Sequence, residues 1–192
     1  RNPDNDVNVS TRSVHYEPMI GRLNCYDYAT DTTHRTTLED VGHLIKLADA
    51  LPSYHLLHSG SIMPQIEGVP IRATHVYGYL ESVRNSIKVV KATSREKIMA
   101  EDCLQMVAAV AGGEDQLRQK PFTFTTDNPV APLHHDRDQM EGALAFAKYG
   151  LPIDVTSEPQ AGATSPVTLA GLLAQQTADV ISGITIIQLA NP

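Results

Sequence analysis

Tryptophan is absent from the sequence, and aromatic residues make up only 5% of it. So thin a supply weakens any reading as a module that grips sugars or single strands by ring stacking. Cysteine is scarce too: Cys25 and Cys103 stand far apart and form no zinc-binding spacing. A disulfide scaffold is excluded, and a reducing cytoplasm is the simplest setting. Basic residues are outnumbered, 15 Lys and Arg against 22 Asp and Glu, leaving a net charge of −7. Nucleic-acid binding runs on clustered Lys and Arg, so none is expected. No uninterrupted apolar run reaches the ~18 residues of a spanning helix, so no membrane contact is expected either. Also missing are the P-loop, the G-x-G-x-x-G fingerprint, the G-x-S-x-G elbow and the H-E-x-x-H zinc helix.

What remains is a 192-residue chain, 42% hydrophobic, enough for one domain or a piece of a larger one. It opens at Arg1 on polar turn sequence and stops at Asn191-Pro192, directly after a long apolar stretch. Asn-Pro punctuates elements, so a fragment of a longer protein is expected.

Four short segments rich in β-branched residues read as strands: Tyr54 to His58, Ile87 to Lys91, Phe122 to Thr125 and Ile153 to Thr156. Their starts lie 33, 35 and 31 residues apart. Helical patterns fill the gaps. Thr36-Thr37-Leu38-Glu39 matches a capping box, with Thr36 as cap and Glu39 reaching back, and Leu38, Val41, Leu44, Ile45 and Ala48 follow at helical spacing up to Pro52. Further helices are expected over Ala73 to Arg84, from about Met99 to Gly112, from Asp136 to Gly150, and from Pro166, placed at the first helical position, to about Leu189. Within the last, Ile184 to Ile187 is β-branched enough to compete as a strand. Leu23 to Thr36 reads as a weak hairpin.

Strands and helices alternating at this period imply parallel strands with crossover helices, either a doubly wound sheet or a (β/α)₈ barrel. The near-constant period favours the barrel, of which four units are about half. In both architectures chemistry sits beyond the C-terminal ends of the strands. His58-Ser59-Gly60-Ser61 follows the first strand, and His58 could hydrogen-bond a ligand or simply face solvent. Lys91 follows the second, where a salt-bridged side chain is the plainer reading. Thr126, Asp127 and Asn128 follow the third, just before Pro129. A carboxylate there could hold a cation or form an Asx turn. Glu158 follows the fourth and opens a small-residue loop through Gly162 and Thr164 to Pro166, where free amides could take an anion. His134-His135-Asp136 looks like a metal cluster, but adjacent histidines on a helix diverge and Asp136 sits where an N-cap belongs, so no metal site is expected.

Gly162-Ala163-Thr164-Ser165-Pro166-Val167-Thr168-Leu169-Ala170-Gly171 resembles the trimethylamine–corrinoid protein methyltransferase family, called MttB-like. Supporting segments run in the same order: Arg1-Asn2-Pro3, Thr37 to Val41, Leu47 to Pro52, Ala108 to Gly113, Asn128 to Leu133, Tyr149 to Pro152 and Ile187 to Pro192. The resemblance spans nearly the whole chain. It implies a partial TIM barrel of about four β/α units, residues 1–36 being a lead-in and 37–192 a barrel portion that continues past the C-terminus.

It also implies a cytoplasmic enzyme, expected to be a homo-oligomer at full length. Such an enzyme moves a methyl group from a small methylated amine, such as trimethylamine or glycine betaine, to the cob(I)alamin of a separate corrinoid protein, binding no cofactor itself. In archaeal amine-demethylating members pyrrolysine lies further along than the position matching Pro192, so no catalytic residue can be named within this chain. The expected substrate-binding residues are His58, Thr126, Asp127, Asn128, Glu158, Gly162 and Thr164. Two rivals stand beside this reading. One is another barrel enzyme, zinc–thiolate or uroporphyrinogen-decarboxylase-like, and the other a non-enzymatic module that binds small cations.

Overall fold

The structure is a computed structural model that describes residues 6–10, 12–20, 23–58 and 69–192. Ser59, Gly60 and Ser61, expected just after the first strand, lie outside the described residues. The backbone forms a mixed α/β arrangement that divides into two compact units, residues 1–93 and 94–192.

In the first unit, β1 (Asn24–Asp27) and β2 (Thr32–Arg35) form the expected antiparallel hairpin. Helix α1 (Leu38–Ala50) follows. Its capping box is one residue later than the sequence pattern suggests. Thr37, not Thr36, accepts the Asp40 amide, and the Asp40 carboxylate, not Glu39, reaches back. A carboxylate at the third helical position satisfies the cap's own N–H, and only Asp40 stands there once Thr37 is the cap. Next come β3 (Leu56–His58), a 3₁₀ turn at Ile71–Ala73, α2 (Thr74–Asn85) and β4 (Val89–Lys91).

Strands β3 and β4 pair in parallel, with Leu57 opposite Val90. Val41, Ile45 and Ala48 of α1 pack with Tyr79 of α2 and these strand residues in the core. Lys88 ends α1: its Nζ donates to the carbonyls of Ala48 at 2.7 Å and Leu51 at 2.8 Å, where a helix leaves acceptors unpaired. Burial lowers the Lys88 ammonium's pKa, and nearby Asp49 opposes the shift. The outer edge of β3 is paired. His55 N donates to Tyr16 O at 3.0 Å, His58 N to Pro18 O at 3.3 Å, and Ile20 N to His58 O at 2.8 Å. The lead-in thus continues the ladder where an open edge would invite association.

The second unit holds α3 (Lys97–Ala111), α4 (Glu114–Gln119), β5 (Thr123–Asp127), α5 (Arg137–Lys148), β6 (Ile153–Val155) and α6 (Leu169–Ala190). Strands β5 and β6 are parallel, with Thr126 opposite Asp154. Two sequence-predicted ends hold. Gly112 closes α3 in the left-handed conformation at φ 90°, and Asp136 caps α5 by accepting the Gln139 amide at 2.9 Å. The short α4 was hidden by the Gly112-Gly113 break.

The last helix differs from expectation. It starts at Leu169, not Pro166, with Thr168 accepting the Gly171 amide at 3.2 Å. It then runs unbroken through Ile184–Ile187, so helical context overrides the β-branched run. By length and composition alone α6 could cross a membrane, although polar residues interrupt its apolar stretch. It is nevertheless tied to its own unit by Gln175, Gln176 and Asp179. Leu169, Leu173, Ile181, Ile184 and Leu189 stay exposed along it.

Candidate functional site

The richest polar cluster among the described residues lies at the C-terminal ends of β5 and β6, under α6. Alternation along β5 turns Thr123, Thr125 and Asp127 inward. Asp127 is therefore the strand's last residue rather than the first of a loop, and it is only 2% exposed. Its carbonyl accepts the Thr156 amide at 3.0 Å, which holds the two strand ends in register.

The carboxylate is unusual. Asp127 Oδ2 is buried and accepts no hydrogen bond. His135 Nδ1 approaches it at 3.5 Å, an ion-pair distance rather than a hydrogen bond. Burial raises the Asp127 pKa above its ordinary value, His135 pulls it back, and Asp154 nearby adds to the rise. Beside it, Thr126 donates its hydroxyl proton to the Asp154 carboxylate, and the Thr126 carbonyl accepts from Ser94 Oγ at 3.0 Å.

The other nitrogen of His135 meets Ser182 Oγ at 2.7 Å. Ser182 donates its own proton to the Asp179 carbonyl at 2.8 Å. A hydroxyl has one proton, so His135 Nε2 must be the donor to Ser182. The ring's second nitrogen then shares at most one proton with Asp127.

Asp179 is a residue that the sequence reading missed. It is 1% exposed at the middle of an apolar helix, and both its oxygens are engaged. Oδ1 accepts the Leu133 amide and Oδ2 accepts Ser157 Oγ, each at 2.9 Å. Leu133 adopts φ 52°, a costly region for a branched residue, and the Asp179 bond helps hold it. This places the turn bearing His134 and His135 beside β5. Gly183, one turn beyond Asp179, sits against Asp127: a Cβ there would lie 2.8 Å from Asp127 Oδ2 and 2.9 Å from Val155 Cγ1.

The other expected residues fall as follows. Asn128 Oδ1 accepts the Thr156 hydroxyl at 3.4 Å. Glu158 is exposed on the loop after β6 and is not brought against Asp127's buried carboxylate. Gly162 and Thr164 lie in a compact turn whose amides are already used. Gly162 N donates to Ser165 O at 2.8 Å, and Thr164 N to Gln160 O at 3.0 Å. Thr164 Oγ1 in turn accepts the Gln160 amide at 2.9 Å. These amides are therefore not the free helix-start donors that the sequence suggested, because the helix begins later. His58, in the first unit, ends β3 and pairs through Nδ1 with Glu17 at 3.1 Å. His135 was set aside in the sequence on a helical argument that does not apply, since both histidines precede the cap Asp136.

Comparison with known proteins bears on what such a cluster serves. The family described as Trimethylamine methyltransferase (MTTB) matches residues 1–192. The chain is 32% identical over 192 residues to the glycine betaine methyltransferase of Desulfitobacterium hafniense strain Y51, covering all of this chain and 40% of that protein. It is 28% identical over 200 residues to the trimethylamine methyltransferase MttB of Desulfitobacterium hafniense strain DSM 10664 / DCB-2, covering all of this chain and 38% of that protein. A third relative, the trimethylamine methyltransferase MttB of Methanosarcina barkeri strain Fusaro, is 36% identical over 85 residues, 44% of this chain and 17% of its own. The chain spans about two fifths of the length of the two Desulfitobacterium relatives. With a match along its whole length, the chain belongs to the trimethylamine methyltransferase (MTTB) family.

Proposed function

We propose that the full-length protein moves a methyl group from a methylated or quaternary amine, of the trimethylamine or betaine type, to the corrinoid of a separate protein. The remaining β/α units would close a (β/α)₈ barrel, with the β5 and β6 ends at its mouth. The corrinoid's reduced cobalt, when the partner presents it, supplies the nucleophile. On the substrate side the C–N bond breaks, its electron pair stays on nitrogen, and a quaternary donor leaves as a neutral amine. That chemistry needs no general base. It needs a cation held in line and kept from water.

The observation that carries the reading is the family match along residues 1–192, and within it the buried Asp127 carboxylate at the end of β5 is the candidate to hold the cation. A quaternary ammonium has no N–H to offer and is held by carboxylate charge or aromatic faces rather than by N–H hydrogen bonds. His135 Nδ1 lies 3.5 Å from Asp127 Oδ2, and Gly183 lets α6 close over it. Thr126 and Asn128 flank the same strand end, and exposed Glu158 would add negative field at the rim. The setting is cytoplasmic, and assembly as a homo-oligomer is expected at full length.

The test uses the full-length protein with its reduced corrinoid partner, offered trimethylamine and glycine betaine in turn. Appearance of the demethylated amine together with a change in corrinoid absorption is expected for one of them. Asp127→Asn should weaken transition-state stabilisation by about 2–4 kcal/mol, the scale of breaking a desolvated charge pair. No demethylation of any methylated amine would reject the function. Unchanged kinetics in Asp127→Asn would reject the site.

A further inference from the structure

The hairpin and the start of α1 bring together three side chains that sequence spacing keeps apart. Cys25 and His34 are register partners across β1 and β2. Such pairs project onto one face with Cβ atoms about 5 Å apart. Asp40 joins them from the first turn of α1. One ligand atom from each residue, a thiol sulfur, an imidazole nitrogen and a carboxylate oxygen, lies within 4.8 Å of the other two. We propose that Cys25, His34 and Asp40 bind a divalent cation of the zinc class.

The donor set selects the ion. One thiolate, one imidazole and one carboxylate match a borderline-soft cation, whereas calcium and magnesium take oxygen ligands almost exclusively. Ligand bonds of about 2.0–2.3 Å around a tetrahedral centre put donor atoms roughly 3.3–3.8 Å apart. At up to 4.8 Å apart, the ligand atoms must draw closer together when an ion binds. Three protein ligands leave the fourth position to water.

The site also has outer support. Asp40 Oδ2 accepts from Thr37 N at 2.8 Å and Thr37 Oγ1 at 2.7 Å, which fixes the carboxylate's direction. His34 Nε2 already meets the same oxygen at 3.0 Å, so imidazole and carboxylate converge on one point. The hairpin is closed behind them by Thr36 N donating to Leu23 O at 3.2 Å. Cys25 is half-buried and His34 exposed, so an ion can enter from solvent. Bound there, it would clasp both strands of the hairpin to the helix that follows.

The experiment uses the full-length protein, stripped with chelator and then titrated separately with zinc and cobalt(II). Wild type should bind one more zinc per chain than Cys25→Ser or His34→Gln, and cobalt(II) should give a thiolate charge-transfer band that Cys25→Ser lacks. Alkylation of Cys25 in wild type, followed by peptide mass spectrometry, needs no variant. Zinc should protect that thiol and chelator should restore its reactivity. Equal stoichiometry in all three proteins, or Cys25 alkylation indifferent to zinc, would overturn the assignment and leave His34–Asp40 as an ion pair beside a helix cap.

Discussion

Gly183→Ala sets two known effects against each other. Alanine in a helix interior is better than glycine by about 1 kcal/mol. On an open face of α6 the substitution would therefore stabilise. Position 183 is not open. The added methyl would lie 2.8 Å from Asp127 Oδ2, 2.9 Å from Val155 Cγ1 and 3.3 Å from His135 Cε1. Optimal carbon contacts fall at about 3.5–4.0 Å, so the Val155 contact alone is short by more than half an ångström. Overpacking of this kind costs typically 1–3 kcal/mol.

The yielding groups are constrained, because Asp127 ends a paired strand and His135 is held by Ser182. The cost should exceed the propensity gain, for a net loss of about 1–2 kcal/mol. Equilibrium denaturation of wild type and variant measures it. A cycle with Asp127→Ala localises it: removing the carboxylate should relieve part of the clash, giving a coupling of about 0.5–1 kcal/mol. A Gly183→Ala protein more stable than wild type by the full helix-propensity increment would refute the close approach of α6 to Asp127.

Gly142→Ala in α5 should be far worse, since its methyl would run into the Ser94 carbonyl oxygen, which is backbone and cannot swing away. A loss beyond about 3 kcal/mol, or failure to accumulate folded protein, is the outcome to check by denaturation and expression. Asp127→Asn should change the pH dependence of stability. Burial lifts the native pKa above the ordinary 3.8, so the carboxyl contributes stability below that value and loses it as pH rises through the lifted one. The variant should therefore gain on wild type as pH rises through that window, and a stability difference independent of pH would count against a buried, titrating Asp127. Asp179→Ala strands the Leu133 amide and the Ser157 hydroxyl, and should cost about 1–3 kcal/mol per buried group left unpaired, read as a lower unfolding midpoint.

Local signals made most of the elements legible. Asp136 before an apolar periodic run and Gly112 after one mark helix ends because caps act within a few residues. Strand positions followed from short β-branched segments between turn residues, although Tyr54, Ile87 and Phe122 fall outside the ladders that form. Two helix starts, shifted by one residue in α1 and three in α6, were misread where nearby candidates compete. Thr36 and Thr37 can each cap α1, and Thr164, Ser165 and Thr168 can each cap α6. The choice is made by what else the loop does: Gln160 to Ser165 closes on itself first.

The site was half legible. Asp127 was found because it ends a strand. His135, Asp179 and Gly183 were not, because their roles depend on α6 packing over β5 and β6, a contact between segments far apart in the chain. Asp179 did leave a trace: a lone acid amid the apolar residues of one helix is expensive unless something buried needs it. Cys25, His34 and Asp40 left none, since cross-strand register and a cap shifted by one residue bring them together.

The same residues explain why this corner can be both buried and charged. A lone carboxylate at 2% exposure would take up a proton and go neutral. His135 prevents that only weakly, at 3.5 Å and with its better bond spent on Ser182. Burial thus raises the Asp127 pKa above its ordinary value, and His135 opposes the rise. A permanent cation arriving beside it would lower that pKa, because an opposite charge within about 4–6 Å favours the ionised state. A neutral, demethylated amine would not. On the proposed reaction with a quaternary donor, nitrogen loses its positive charge in the transfer step itself, so its attraction to Asp127 falls until the amine takes up a proton. Under that proposal, charge recognition at Asp127 would favour the quaternary donor over the neutral amine as it is first released.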